Sequence, residues 1–226
     1  MEVTKSIKNI FIDFDEHHSI ESNFKNTFDS GYVALHPFYK SVFQEDYDYR
    51  RCLKDTFHLI QPVSWDKVIA ELKFKNINQL AKALLNLNSS EFRELKDFLE
   101  YKRVLIPVIE EDTIPEILLN KYLKSLIIRG VNEVIRGYSK HTIFEDDKQN
   151  TKIQVNERNI FEVIGQLQNR FVVTENNMEI VLLLPGHDSA YTLILGDNEV
   201  VKSFITDFEI EGFWVDKKTT FNWWAD

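Results

Sequence analysis

The 226-residue chain has a single cysteine, Cys52. One thiol cannot close an intrachain disulfide, which fits a reducing compartment and removes the usual thiolate zinc site. Glycine is also scarce, with seven in all, and no G-x-x-x-x-G-K-[ST], G-x-G-x-x-G or G-x-S-x-G spacing occurs. Phosphate cradles and nucleophile elbows need glycine where the backbone closes on the reacting group, so both are poorly supported. Basic residues are outnumbered: 27 Lys and Arg against 36 Asp and Glu leave a net charge of −9. A nucleic-acid binder ordinarily carries the opposite balance, because it must neutralise phosphates. No nucleic-acid partner is expected. No run approaches the roughly 18 apolar residues of a membrane-spanning helix. The opening MEVTKSIKNIFIDFDE lacks a signal-peptide apolar core. The expected setting is the cytoplasm, with no membrane partner and no cofactor.

What is present is a core. The hydrophobic fraction is 43% and the aromatic fraction 13%, with seventeen Phe and four Trp. A chain of this length and composition can bury its apolar surface without covalent staples. The clearest change of composition is EDDKQNTK at 145–152. It divides a mainly helical region, 1–150, from an α+β region, 151–226, and the two are expected to share one core.

Residues 7–14 read as an early strand, and the segment from there to about Asp48 is ambiguous. Ser64 then reads as the N-cap of a helix through Leu72, with Asp66 in its first turn. Asn76 or Asn78 starts a second helix carrying Leu80, Ala81, Leu84 and Leu85 at helical spacing. Ser90 opens a third, with Phe92, Leu95, Phe98 and Leu99 on one face. The fourth is expected to be the longest, from Thr113 and Pro115 to Gly137, with Gly130 inside it. Beyond the break, Asn156 caps a helix carrying Ile160, Ile164 and Leu167. FVVTE and EIVLLLPG form a hairpin, YTLILG follows, and a short helix near 198–205 leads to EGFWV. The fold class is α+β: a helical N-terminal region with an early strand, then a C-terminal antiparallel sheet with flanking helices.

Several residues invite chemistry. In NIFIDFDEHHS an apolar run ends in Asp13 and Asp15, two residues apart. This pair resembles the D-x-D of haloacid-dehalogenase-type phosphohydrolases. There the first aspartate forms a phospho-enzyme, the second works as acid/base and magnesium neutralises charge. A later Gly196-Asp197 matches the order of that class's acidic metal motif, which makes Asp13, Asp15 and Asp197 its implied magnesium set. Two features oppose it. The links at 175–178 and 185–190 are too short for parallel crossovers. Asp15 also runs into Glu16-His17-His18 rather than D-G-T or D-x-T. The alternative for Asp13 and Asp15 is a wet strand end or a cap.

The six histidines show no H-x-x-x-H or H-E-x-x-H spacing, so no metal site is expected from them. Cys52 lies among Arg50, Arg51 and Lys54 but has no local base, and reads as a small apolar residue. His187 and Asp188 sit in PGHDSA, where they face a ligand or simply turn a hairpin. The acidic runs Glu45, Asp46 and Asp48, and Glu145, Asp146 and Asp147, are candidate surfaces for a basic protein partner, or else solvated surface. Phe213, Trp214, Phe221, Trp223 and Trp224 divide between core and binding surface.

ALHPFYK at 34–40, LLLPGHDSAYTLILGD at 182–197 and EGFW at 211–214 are similar to the YwbB-like family of uncharacterised bacterial proteins. The resemblance spans most of the chain and implies no catalytic residue. The arrangement also resembles, in fold and charge, the small cytosolic immunity proteins that neutralise toxins by surface complementarity. The resulting expectation is a non-enzymatic protein-binding module with an acidic surface, the magnesium-dependent hydrolase being its alternative.

Overall fold

The computed structural model describes residues 15, 17–41, 57–86, 88–106, 114–136, 151–167, 172–174, 180–183 and 190–223. The early strand at 7–14 lies outside them, as do Asp13, Glu45, Asp46, Asp48, Cys52, the 145–147 acidic run, His187, Asp188 and Trp224. The first half contains α1 (Ile20–Phe24), β1 (Ser30–Leu35), β2 (Phe38–Ser41), β3 (Ile60–Val63), α2 (Trp65–Leu72) and α3 (Ile77–Leu85). α4 (Ser90–Lys102), β4 (Val104–Leu105), α5 (Glu116–Ile128) and β5 (Glu133–Arg136) follow. The remainder is β6 (Thr151–Gln154), α6 (Ile160–Leu167), β7 (Val172–Thr174), β8 (Ile180–Leu183), β9 (Tyr191–Gly196), α7 (Asn198–Asp207) and β10 (Gly212–Trp214). The fold is α+β.

A seven-stranded sheet runs in the order β10-β1-β9-β8-β7-β5-β6, and a small one in the order β3-β2-β4. Every pairing is antiparallel. β7, β8 and β9 pair as successive hairpins, as the short links predict. The ambiguous early segment supplies β1, which lies between β10 and β9. Gly31 to Leu35 and all of β9 are buried, because helices cover both faces of the sheet.

Side chains alternate between the faces. Tyr32, Ala34, Val134, Leu182 and Ile194 pack on one face with Tyr122 and Leu126 of α5, Ile164 of α6 and Phe204 of α7. Val33, Leu35, Ile135, Val181 and Leu193 pack on the other with Phe24, Trp65, Leu80, Leu84 and Leu95 of the first four helices. Each fully buried large side chain contributes roughly 1.5–3 kcal/mol.

Local signals set the helix starts. Ser64 accepts from Lys67 N at 3.2 Å and Asn76 from Gln79 N at 3.0 Å. The third cap is Ser89 rather than Ser90; its hydroxyl accepts from Phe92 N at 3.0 Å. The fourth helix is shorter than predicted. Gly130 adopts φ +80°, and Gly130 N and Val131 N donate to Ile127 O and Leu126 O at 2.9 Å each. That is a Schellman stop. Val134 and Ile135, predicted on the helix, instead lie in β5 and bury on opposite faces of the sheet.

Candidate functional site

Two polar regions stand out among the described residues, one sealed inside and one open. The inner one starts at His36, where the chain leaves β1 for β2. His36 is wholly buried, and its Nε2 lies 2.9 Å from Thr192 Oγ1 on β9. Its backbone is held on both sides: His36 N donates to Ala190 O at 2.9 Å, and Trp65 Nε1 donates to His36 O at 2.8 Å. Its Nδ1 has no hydrogen-bond partner among the described residues. Burial alone holds the imidazole neutral, lowering its pKa to about 3. Tyr122 of α5 brings its buried hydroxyl beside Thr192 without a well-formed hydrogen bond, and burial raises its pKa. The Tyr32 hydroxyl donates to Ile210 O at 2.9 Å, and burial pushes it up to about 12. Groups so far from their charged forms are poor proton shuttles near neutrality, and their geometry locks strands to helices.

Glu211 closes this corner. Its carboxylate accepts from Trp65 N at 2.7 Å and Asp66 N at 2.8 Å, capping α2 from across the fold. Burial raises its pKa, with the two amides acting against that rise.

The open region follows in the chain. Just past the end of α7, Glu209 adopts φ +47°, and the chain turns into β10. Gly212 passes so close to β1 that a Cβ there would sit 1.9 Å from Val33 O. Phe213 and Trp214 then diverge. The Trp214 ring stands edge-on to Tyr32 at 5.5 Å and is 40% exposed. The Phe213 ring meets Trp223 at 4.9 Å, also edge-on. Trp223 and Phe221 are buried, while Phe213 packs partly buried against the same core.

The tail that carries Trp223 is stitched down. Asp216 Oδ1 accepts from Lys218 N at 2.9 Å, Thr219 N at 2.9 Å and Thr219 Oγ1 at 2.8 Å. These bonds, Thr219's first, lower the Asp216 pKa and keep it ionised. Thr219 O accepts from Ile20 N at 2.8 Å, and Trp223 O accepts from Asn78 Nδ2 at 3.3 Å.

Between tail and sheet lies a cavity of about 350 Å³. Ile77 and Asn78 of α3 form one side, and Gly212 and Phe213 of β10 another. Asp216, Lys218, Thr219 and Trp223 complete it. Its size is within the range of small-ligand sites, roughly 300–1,000 Å³. It offers an aromatic wall, a fixed carboxylate and an exposed lysine. That set suits recognition, and its one hydroxyl–carboxylate pair, Thr219 with Asp216, closes the 216–219 turn.

The residues singled out from sequence meet only in part. Asp15 is exposed and serves the turn before α1. Its Oδ1 accepts from His17 N, its Oδ2 lies 2.9 Å from His18 Nδ1, and the His17 amide leads the lowering of its pKa. Asp197 is the N-cap of α7, accepting from Glu199 N at 3.0 Å and Val200 N at 3.3 Å. Asp13, their proposed companion, lies outside the described residues. Among the described residues no group of three or more His, Cys, Asp or Glu side chains is placed to hold a metal ion, and no helix is long and apolar enough to cross a membrane.

Sequence reasoning missed Glu211 and Asp216; it read His36 by default as a surface or hydrogen-bonded core histidine, the second of which the structure shows, and Asn78 only as an alternative helix start. The Asp216-to-Thr219 spacing is a recognisable side-chain turn signal. Nothing local marks Glu211 as the cap of a helix about 145 residues earlier.

No curated protein and no solved structure matches the chain. A family model described as "Protein of unknown function (DUF2711)" matches residues 16–225. With the match running over almost its whole length, this chain belongs to the DUF2711 family.

Proposed function

We propose that this protein is a non-enzymatic binding module of the cytoplasm whose partner is a basic protein. The observation that carries the reading is the cavity between α3, β10 and the tail, where an aromatic wall, a fixed carboxylate and an exposed lysine gather. The net charge of −9 supports it, since an acidic surface speeds encounter with a basic partner and repels acidic ones. The likeness to YwbB-like bacterial proteins and to immunity proteins gives the same reading a setting: a bacterial protein that neutralises its partner by surface complementarity. Glu45, Asp46, Asp48, His187 and Asp188 belong to this proposal as further contact residues.

The test is calorimetric titration with a short Lys/Arg-rich peptide and with its Glu-rich counterpart. The basic peptide is expected to bind and to weaken as ionic strength rises from about 0.05 to about 0.3 M, because the Debye length shrinks over that range. Equal binding of both peptides, or of neither, would remove the proposal.

A further inference from the structure

We infer that the cavity beside β10 receives an arginine side chain of the basic partner, stacked on the Phe213 ring of the Phe213–Trp223 wall with Asp216 as its counter-ion. The inference rests on the binding reading above and gives it a location. The cavity presents two opposite charges, and which of them sets the sign of the ligand follows from how each is held. Asp216 is fixed: three hydrogen bonds from the 216–219 turn hold Oδ1, and Oδ2 has no partner among the described residues. Lys218 is exposed and its ammonium makes no ion pair among the described residues. Using Asp216 costs almost no conformational entropy, whereas using Lys218 means freezing a long flexible side chain. The fixed charge therefore selects a cation.

The walls select which cation. Phe213 and Trp223 meet edge-on at 4.9 Å, and both line the cavity. Aromatic faces attract cations, and Phe213, only partly buried, is the ring of the pair with surface to offer, since Trp223 is buried. A guanidinium is planar and weakly hydrated, so it can stack on a ring while an N–H donates to Asp216 Oδ2. An ammonium loses more hydration in the same place. Asn78 adds a polar side chain to the lining beside the arginine. Lys218 at the mouth is a competitor, and its removal should strengthen cation binding.

The experiment follows the indole N–H resonances of the isotope-labelled protein by NMR during titration with acetyl-Gly-Arg-Gly-amide. The citrulline and glutamate analogues and the Lys/Arg-rich peptide are titrated alongside. Arginine should move the Trp223 signal, and neutral citrulline, the same shape without the charge, should not. Asp216→Asn, which keeps Oδ1 as an acceptor, should weaken binding about tenfold, the loss of one charge-assisted contact. Lys218→Gln leaves the turn intact and should strengthen binding about threefold.

If the Lys/Arg-rich peptide binds while Trp223 stays still and neither substitution changes its affinity, the site is wrong and the binding reading stands. If the glutamate peptide moves Trp223 and Lys218→Gln abolishes that shift, the ligand sign is wrong and the inference is overturned. If no peptide binds, both fall.

Discussion

Gly212→Ala is the sharpest test of the structure around the cavity. Gly212 pairs with Ala34 across the β1–β10 ladder. A methyl group there would lie 1.9 Å from Val33 O and 2.7 Å from Tyr32 Cε1. The first contact is with backbone, so no side-chain rotation can relieve it. β10 has to move off β1 and strain the flanking bonds, Leu35 N to Glu211 O and Val215 N to Gly31 O, both 2.9 Å. Overpacking typically costs about 1–3 kcal/mol. Weakening those two bonds adds up to about 1 kcal/mol each. A total near 2–4 kcal/mol lowers Tm by roughly 5–15 °C in a chain of this size. Gly165→Ala is the control: Gly165 is exposed on α6 with nothing within 4 Å of its would-be Cβ. It should gain about 0.5–1 kcal/mol through helix propensity. Thermal melts read both, and hydrogen exchange at the Val215 amide reports whether β10 has lifted. A Gly212→Ala protein that melts within about 2 °C of the parent and keeps the Val215 amide protected would refute the close-approach argument.

Four further outcomes are expected. The unfolded chain protonates His36 near its ordinary value of 6.5, whereas the folded chain resists until about 3. His36 therefore contributes stability that is full above pH 6.5 and is lost as pH falls toward 3, at about 1.4 kcal/mol per pH unit. Urea unfolding at several pH values should show that slope shrinking in His36→Gln, and identical slopes would contradict it. Tyr122→Phe deletes a buried hydroxyl that lacks a well-formed partner, so stability should stay level or rise by about 1 kcal/mol; a loss of that size would mean the hydroxyl has a partner after all. Asp197→Ala should cost about 1 kcal/mol as a lost helix cap. Magnesium with beryllium fluoride should leave Tm unchanged in the parent, and a shift that Asp13→Asn or Asp197→Ala abolishes would favour phosphoryl-transfer chemistry instead.

What the sequence determined by itself was local. Ser64 and Asn76 each cap a helix because a short side chain reaches an amide three residues away, and no distant residue is needed; Asp197, which reads from the sequence as part of an acidic metal motif, is in the structure a cap of the same local kind. The antiparallel order of β7, β8 and β9 followed from link length alone, since such short connections cannot make a parallel crossover. The aromatic tail was legible as something to be placed, but not its division between a buried Trp223 and an exposed Trp214. The tertiary structure decided whatever depends on partners far apart in the chain. Gly130 reads from the sequence as interior to a helix that runs to Gly137; the pairing of Glu133–Arg136 with β6 and β7 makes it the stop. β1 was hidden because burial on both faces erases the polar alternation that marks a strand. His36 and Glu211 gained their roles only when β1, β9 and α2 met at one corner. The cavity likewise joins residues 77–78 to residues 212–223, a meeting set by how α3 packs on the sheet. Capping and turn energies act over a few residues and so are written locally, whereas burial and enclosure exist only once distant segments share a surface.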